Sequence, residues 1–321
     1  MSFKITENDC GRRVDRVLRK LLPDIPLSRI YAALRKGNIR VNGKKTVNNY
    51  ILQLNDTLAV NAALLSQNQK FFARENYPVQ KTNGESDAEE QLSTKKILQP
   101  KKYSSTILND KNILYRDDDF LILKKQRFEL VHGSGSLDEA VKAEYEHALQ
   151  HHRRAQSLSF QPGPLHRLDF GTSGIVVFSQ SLKGAHIFSE QLRNGKVLRF
   201  YFALLVGHCP KKAFFHSPIS GKSAATKLQL LQYFPEKNLS LVEIQILTGR
   251  KHQIRIHCAK NGFPLFGDAQ FGTIRKRKTQ SAYFLHFYKM ECSEKILQLP
   301  KSITCPLPEY FSSVLGTEAL F

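Results

Sequence analysis

The sequence predicts an α+β protein in three parts: a small basic domain over residues 1–65, a polar linker over 66–110 and a larger sheet-based domain over 111–321. Three observations predict it: dense positive charge on helical periodicity at the start, the loss of all periodicity in the middle, and recurrent apolar strand patterns afterwards. The whole chain has 321 residues, with 48 Lys and Arg against 28 Asp and Glu, a formal net charge of +20. That excess calls for a polyanionic partner. At 41% hydrophobic and 24% charged residues the composition is that of a globular protein, which argues against global disorder.

Residues 1–45 carry twelve Lys and Arg and four Asp and Glu, a net +8, the most basic region of the chain. Val14, Val17, Leu18, Leu21 and Leu22 form one apolar helix face, while Arg12, Arg13, Arg16, Arg19 and Lys20 mostly take the other; Pro23 ends the helix. A second short helix runs through Ile30, Ala33 and Leu34, with Ser28 as its expected N-cap and Gly37 as its left-handed stop. Ile39-Arg40-Val41-Asn42-Gly43 reads as a tight strand-turn, with Asn-Gly as the turn signal. Around these elements Arg29, Arg35, Lys36, Arg40, Lys44 and Lys45 make a one-signed surface suited to RNA.

From Ser66 to Asp110 the sequence is polar and nearly neutral, a linker composition. Apolar runs then return at Phe120–Leu123, Ile175–Phe178, Tyr201–Val206, Lys227–Phe234 and Leu239–Leu247, the strands of an α+β domain. No long apolar span and no signal-peptide core occurs, so a soluble cytoplasmic protein with no membrane partner is expected. Five scattered cysteines without a CxxC pair are expected to be reduced, and no histidine has the spacing of a metal site. Phosphate-binding glycine loops and a GxSxG elbow are absent, as are a DNA recognition helix and a zinc module, which disfavours DNA as the partner.

Three stretches hold candidate chemistry. His166-Arg167-Leu168-Asp169-Phe170-Gly171-Thr172-Ser173-Gly174 brings an Asp beside an Arg and feeds a buried strand; taken alone it reads as a structural ion pair in a turn. Thr248-Gly249-Arg250-Lys251-His252-Gln253-Ile254-Arg255-Ile256-His257 leaves a strand and enters a helix that Asn261-Gly262 stops. Cations at a helix start oppose its dipole, so an anion must offset them, either RNA phosphate or a buried carboxylate. Gly267-Asp268-Ala269-Gln270-Phe271-Gly272 leads into the basic run Arg275–Lys278, a turn with a solvated loop or a phosphate contact.

In order on one chain, HRLDxxTSG (His166–Gly174), the strand Arg199-x-Tyr201-x-Ala203-Leu204, Gly249–His257 as GRxHQIRxH, and Gly267–Gly272 as GDxxFG resemble the RluA-type pseudouridine synthases, especially the RluC/RluD branch. The N-terminal segment is similar to the S4 RNA-binding domain of that branch. The resemblance implies a mixed, largely antiparallel catalytic sheet behind a small S4-like α/β domain. It further implies isomerisation of uridine to its C5-glycoside in structured RNA, most naturally large-subunit ribosomal RNA, by a monomer with no cofactor and no metal. By motif match Asp169 is the nucleophile, acting at uracil C6, at ribose C1′ or through a glycal, and Arg255 is its ionic partner. Tyr201 lies against the uracil face and takes part in proton removal, although a Tyr in such a strand reads by itself as core. Arg167 fills the gap left by the extruded base, and Ile254 packs beneath the pocket. Thr172, Arg250, His252 and Gln253 fall on the substrate and RNA surface together with His166, a loop residue rather than an acid or base. Arg29, Arg35, Lys36 and Arg40 are the expected phosphate contacts of the S4-like part.

The chain departs from the family where Asn-Lys-Pro-x-Gly is usual: it reads Lys124-Lys125-Gln126-Arg127-Phe128 before Val131-His132, which should change a turn at the sheet edge. Arg199 replaces a usual Lys, and Leu285-His286-Phe287 a Leu-His-Ala box, with Lys289 in place of a frequent Arg. A non-catalytic ribosome-assembly protein on the same scaffold is the alternative, which intact Asp169, Tyr201 and Arg255 oppose.

Overall fold

The computed structural model describes residues 1–66, 108, 110–150, 157–272 and 282–316. Most of the expected linker and the basic run Arg275–Lys278 lie outside the described residues. The chain divides into two units, Met1–Ser104 with Ala143–Gln161, and Ser105–Lys142 with Pro162–Phe321. The division differs from the expected one in that residues 143–161 belong with the N-terminal unit.

In the first unit the order is β1 (Ser2–Lys4), α1 (Val14–Leu21), α2 (Leu27–Lys36), β2 (Ile39–Val41), β3 (Lys44–Lys45), β4 (Thr57–Val60) and α3 (Ala62–Leu65). The strands form one sheet in the order β1-β4-β2-β3. Val14, Val17, Leu18, Ile30, Leu34, Ile39 and Leu58 close a core between helices and sheet. Gly37 ends α2 at φ +80°, and Asn42 and Gly43 both take positive φ, the requirement of a two-residue hairpin turn. The N-cap of α2 is Pro26 rather than Ser28, with no side-chain cap bond. Proline's fixed φ orients the chain for helix entry two residues before the serine could cap it. Arg29, Arg35, Lys36 and Arg40 are all exposed.

Segment 157–161 joins this unit through Asp9. The buried Asp9 carboxylate accepts from Ser157 Oγ (2.9 Å), Leu158 N (2.9 Å), Ser159 N (3.1 Å) and Ser159 Oγ (2.6 Å), while Leu158 enters the core. Arg12 adds a bond to Ser159 Oγ. With Thr6 Oγ1 as a fifth donor (3.1 Å) the buried carboxylate is fully satisfied, and no sequence pattern announces a contact across 150 residues.

The second unit contains β5 (Ile113–Arg116), β6 (Phe120–Lys125), the start of α4 (Leu137–Gln150), β7 (Gly163–Pro164), β8 (Ser173–Ser179), α5 (Leu182–Arg193), β9 (Val197–Val206), β10 (Lys212–His216), β11 (Ala225–Phe234), β12 (Leu239–Ile246), α6 (Gln253–Lys260), β13 (Leu285–Cys292), β14 (Ser302–Thr304) and α7 (Glu309–Leu315). Its ten-stranded sheet runs β10-β11-β12-β9-β13-β8-β6-β5, with β14 beside β13 and β7 beside β8. Every pairing is antiparallel except β13 with β8, so the sheet is mixed and largely antiparallel.

That parallel junction positions the site. Gly174 at φ +119° lies so close to β13 that a Cβ there would meet Phe287 O at 2.3 Å, and only glycine fits. Ser173 Oγ bonds His286 Nδ1 and Tyr310 OH, both at 2.7 Å, and Thr172 Oγ1 lies 3.3 Å from Tyr283 OH. The Thr-Ser-Gly triplet therefore locks β8 against β13 and fixes the loop just before it. Register then places Gly174, Phe287, Tyr201 and Ile244 in one row across β8, β13, β9 and β12. At about 4.8 Å per strand, Tyr201 lies two strands from the loop that carries Asp169.

Candidate active site

The Asp169 loop is built from three constraints. Leu168 is buried in the core and Thr172 N donates to Asp169 O (3.0 Å), which folds residues 169–172 into a turn. Beneath it, Lys125 Nζ, fully buried, donates to Phe170 O (3.2 Å), Thr172 O (2.7 Å) and Gln126 O (3.0 Å). Three carbonyls solvate one ammonium, yet burial still draws its pKa down to about 8 against the smaller pull of Glu129 and Asp169. The altered 124–128 segment is the end of β6 and the turn after it, at an interior strand rather than the sheet edge. Its turn places Phe128, at the position of the usual glycine, in the left-handed region at φ +69°.

The opposite wall comes from the segment between β12 and α6. Gln253 saturates its amide inside the protein: Oε1 accepts from Thr248 Oγ1 (2.7 Å) and Arg250 N (3.0 Å), and Nε2 donates to Ala225 O (2.9 Å) and Thr226 Oγ1 (3.0 Å). With both amide ends committed it pins the start of α6 to β11 and has no group left for RNA, which corrects its assignment to the substrate surface. His252, the N-cap of α6 at φ +56°, turns its ring toward the loop, with Nε2 3.6 Å from Asp169 Oδ1. Burial lowers its pKa, against the opposing pull of Asp169.

Arg255 does not have Asp169 as its ion-pair partner. Its Nε and Nη2 meet Asp268 at 2.7 and 2.9 Å, a bidentate pair with side chains 5% and 1% exposed, and Nη2 also reaches Gln270 Oε1 (3.1 Å). Tyr283 and Phe271 flank the guanidinium at 4.3 and 4.8 Å. Burial opposes both charges, but the mutual hydrogen bonds outweigh it, raising the pKa of Arg255 and lowering that of Asp268. The buried carboxylate that the cationic helix start requires is thus Asp268. Gly267 and Gly272 make its turn possible, since a Cβ on either would meet backbone oxygen at 2.6 or 2.2 Å. In the sequence Asp268 has only the look of a turn residue, although the cationic helix start calls for a buried anion.

These walls enclose a cavity of about 740 Å³. Its lining includes one carboxylate, Asp169, and six Lys or Arg side chains: Arg167, Arg193, Arg199, Arg250, Lys251 and Arg255. Tyr201 stacks on Phe287 at 4.7 Å and 18° in the cavity floor, with Ile254 buried beside it. Burial pushes its phenol up to about 12, the nearby Arg199 pulling the other way, so it keeps its proton at neutral pH. Any part it takes in proton removal must be a relay through the hydroxyl. Arg199 was not among the expected site residues; it lines the cavity and its buried Nε has no partner in the structure.

Arg167 is exposed in the cavity lining, while Arg250 anchors its Nε to Ser223 O. His166 is committed to the fold: its Nε2 accepts from Val177 N (3.2 Å), and burial, with Arg199 nearby, drops its pKa to about 3. With its Nε2 lone pair used in the fold, His166 is held as a fixed part of the cavity lining. Thr172 lines the cavity but is itself buried. Among the described residues no cluster of three or more His, Cys, Asp or Glu could hold a metal ion, and no helix is long and apolar enough to cross a membrane.

The family described as RNA pseudouridylate synthase matches residues 119–260, a span that holds Asp169, Tyr201 and Arg255. Similarity to curated relatives extends over nearly the whole chain. Over that span the chain is similar to the RNA pseudouridylate synthases. The ribosomal large subunit pseudouridine synthase C of Vibrio vulnificus is 27% identical, covering 97% of this chain and 94% of the relative. The protein of the same name from Vibrio parahaemolyticus is 29% identical over 84% of this chain and 80% of its own length. Human RNA pseudouridylate synthase domain containing 4 shares the fold, with a TM-score of 0.53 at 21% identity over 64% of this chain and 92% of that one.

Proposed function

We propose that this synthase isomerises uridines to pseudouridine in large-subunit ribosomal RNA, with Asp169 as the nucleophile on a flipped-out nucleotide. The carrying observation is the lone carboxylate of Asp169, with Tyr201, in a cavity whose other charged lining is six Lys and Arg side chains. A polyanion enters such a cavity readily, and a base extruded from its helix brings the reacting atoms to the one anionic group. The reaction breaks the C1′–N1 bond and forms C1′–C5, and the proton lost from C5 is balanced by the one gained at N1. It needs no group beyond those in the cavity.

In this reading Asp169 attacks the nucleotide, Tyr201 supports the uracil ring and relays a proton, and Arg167 occupies the gap the base leaves. Arg255 acts at a step removed, its charge held near Asp169 by Asp268. The N-terminal unit is read as an S4-like anchor, because Arg29, Arg35, Lys36 and Arg40 face solvent on α2 and β2. Monomeric action on cytoplasmic RNA is part of this reading, and neither DNA nor a membrane is called for. A non-catalytic scaffold has no use for a carboxylate at the centre of that cavity. The test is tritium release from ribosomal RNA labelled at uridine C5: the protein releases it and the Asp169→Asn variant does not. Undiminished release by the variant removes Asp169 from its role, and no release by the protein itself overturns the proposal.

A further inference from the structure

Phe128 combines two features that rarely coincide. It is a bulky residue in the left-handed region at φ +69°, and its side chain is 39% exposed. A non-glycine residue is strained there, and burial recovers little of that cost. The conformation is held from outside the residue: Phe128 N donates to Phe170 O (2.8 Å), the same carbonyl that Lys125 holds. The ring meets that of Phe170 at 5.6 Å and 49°, and Phe170 is also 39% exposed and directly follows Asp169 in the chain. Arg127 packs its guanidinium behind Phe128 (5.2 Å), between it and the rings of Phe284 (4.9 Å) and Tyr310 (4.5 Å), and donates to Tyr283 O at 2.5 Å. Two exposed rings thus meet at the nucleophile loop, Phe128 backed by the Arg127 guanidinium and tied to the loop backbone.

We infer that Phe128 and Phe170 form a stacking platform for an unpaired nucleobase of the RNA neighbouring the nucleotide that Asp169 attacks. The inference rests on the proposed RNA chemistry and names a determinant of substrate choice within it. A nucleobase fits because it offers a flat π face to exposed rings, and its phosphates find the cations of the adjoining cavity, Arg167 among them. Stacking tolerates any base, so the platform demands an unpaired neighbour rather than a particular sequence. It favours uridines in loops and junctions over those inside a continuous helix.

The test exploits the strain. Phe128→Gly relieves the backbone and removes the ring, so a purely structural role and a binding role predict opposite things. The expected result is an unfolding midpoint unchanged or raised, a kcat within about threefold, and a KM for C5-tritiated ribosomal RNA raised roughly 5- to 150-fold, with Phe128→Trp restoring it. In parallel, a single-stranded RNA oligonucleotide bearing 2-aminopurine is titrated with each protein; the wild type quenches its fluorescence and the Gly variant does not. The quench reads stacking without any catalysis, so a wild type that releases no tritium yet quenches the probe overturns the proposed function and leaves the platform standing. Equal KM and equal quenching by the Gly variant overturn the platform, as does a lowered unfolding midpoint with RNA binding intact.

Discussion

Asp268→Asn is the sharpest probe of how the site is held. The substitution removes one charge from a bidentate pair at 2.7 and 2.9 Å whose side chains are 5% and 1% exposed. At these separations the gross attraction is about 6 kcal/mol for an effective dielectric of 20, and the desolvation of both ions cancels much of it. Removing one partner does not return that desolvation, because Arg255 stays buried between Tyr283 and Phe271 with its charge uncompensated. The expected loss is about 3–5 kcal/mol at neutral pH, read from the unfolding transition of the second unit in urea. Asparagine also turns an NH₂ toward the backbone N–H groups of Gln270 or Phe271, or toward the guanidinium, so no flip satisfies all of them. Asp268 has a folded pKa below its unfolded value, so its contribution is complete above about pH 4 and fades as pH falls through the depressed folded pKa. The gap between wild type and variant must therefore narrow in acid. Replacing both partners, as in Arg255→Met with Asp268→Leu, should cost less stability than Asp268→Asn alone, although activity is lost. A single-variant loss under about 1 kcal/mol, or one that does not change in acid, would refute the view that Asp268 neutralises Arg255.

The remaining expectations follow from the same geometry. Asp169→Asn should lower kcat roughly a thousandfold or more while RNA affinity, measured by filter binding, changes little. Neutralising Arg29, Arg35, Lys36 and Arg40 together should reduce the slope of log affinity against log salt by about 3; an unchanged slope counts against the S4-like anchor. This is a cleaner test than deleting residues 1–65, which would strip Leu158 of its core and Ser157 and Ser159 of Asp9. Lys125 predicts a divergence with pH: as it loses its proton near pH 8 the carbonyls of the nucleophile loop lose a donor and kcat falls. Its folded pKa lies below the model-peptide value of 10.5, so global stability rises over the same range from about 8 to 10.5. Activity and melting temperature measured across pH 7–10 should move in opposite directions, and Lys125→Arg should shift the activity limb upward.

Much of this protein is determined locally and could be read from the chain. The helix face of Val14, Val17, Leu18 and Leu21, the Asn42-Gly43 turn and the strands at 120–125 and 239–246 follow from side-chain period and turn chemistry, which act between near neighbours. The four motifs in order carry the resemblance to the pseudouridine synthases and bring Asp169, Tyr201 and Arg255 forward, and all three line or floor one cavity. Partners were another matter. Gly267-Asp268 looks like any turn until α6 lays Arg255 against it, and nothing local shows that the fold takes every amide atom of Gln253 and the Nε2 lone pair of His166. Asp9 finds its donors about 150 residues away, and Phe128 shows its strain only once its φ is known. Sequence carries the identity of a charged or polar group, but which partner satisfies it depends on which strands become neighbours, and that is decided by the packing of the whole sheet.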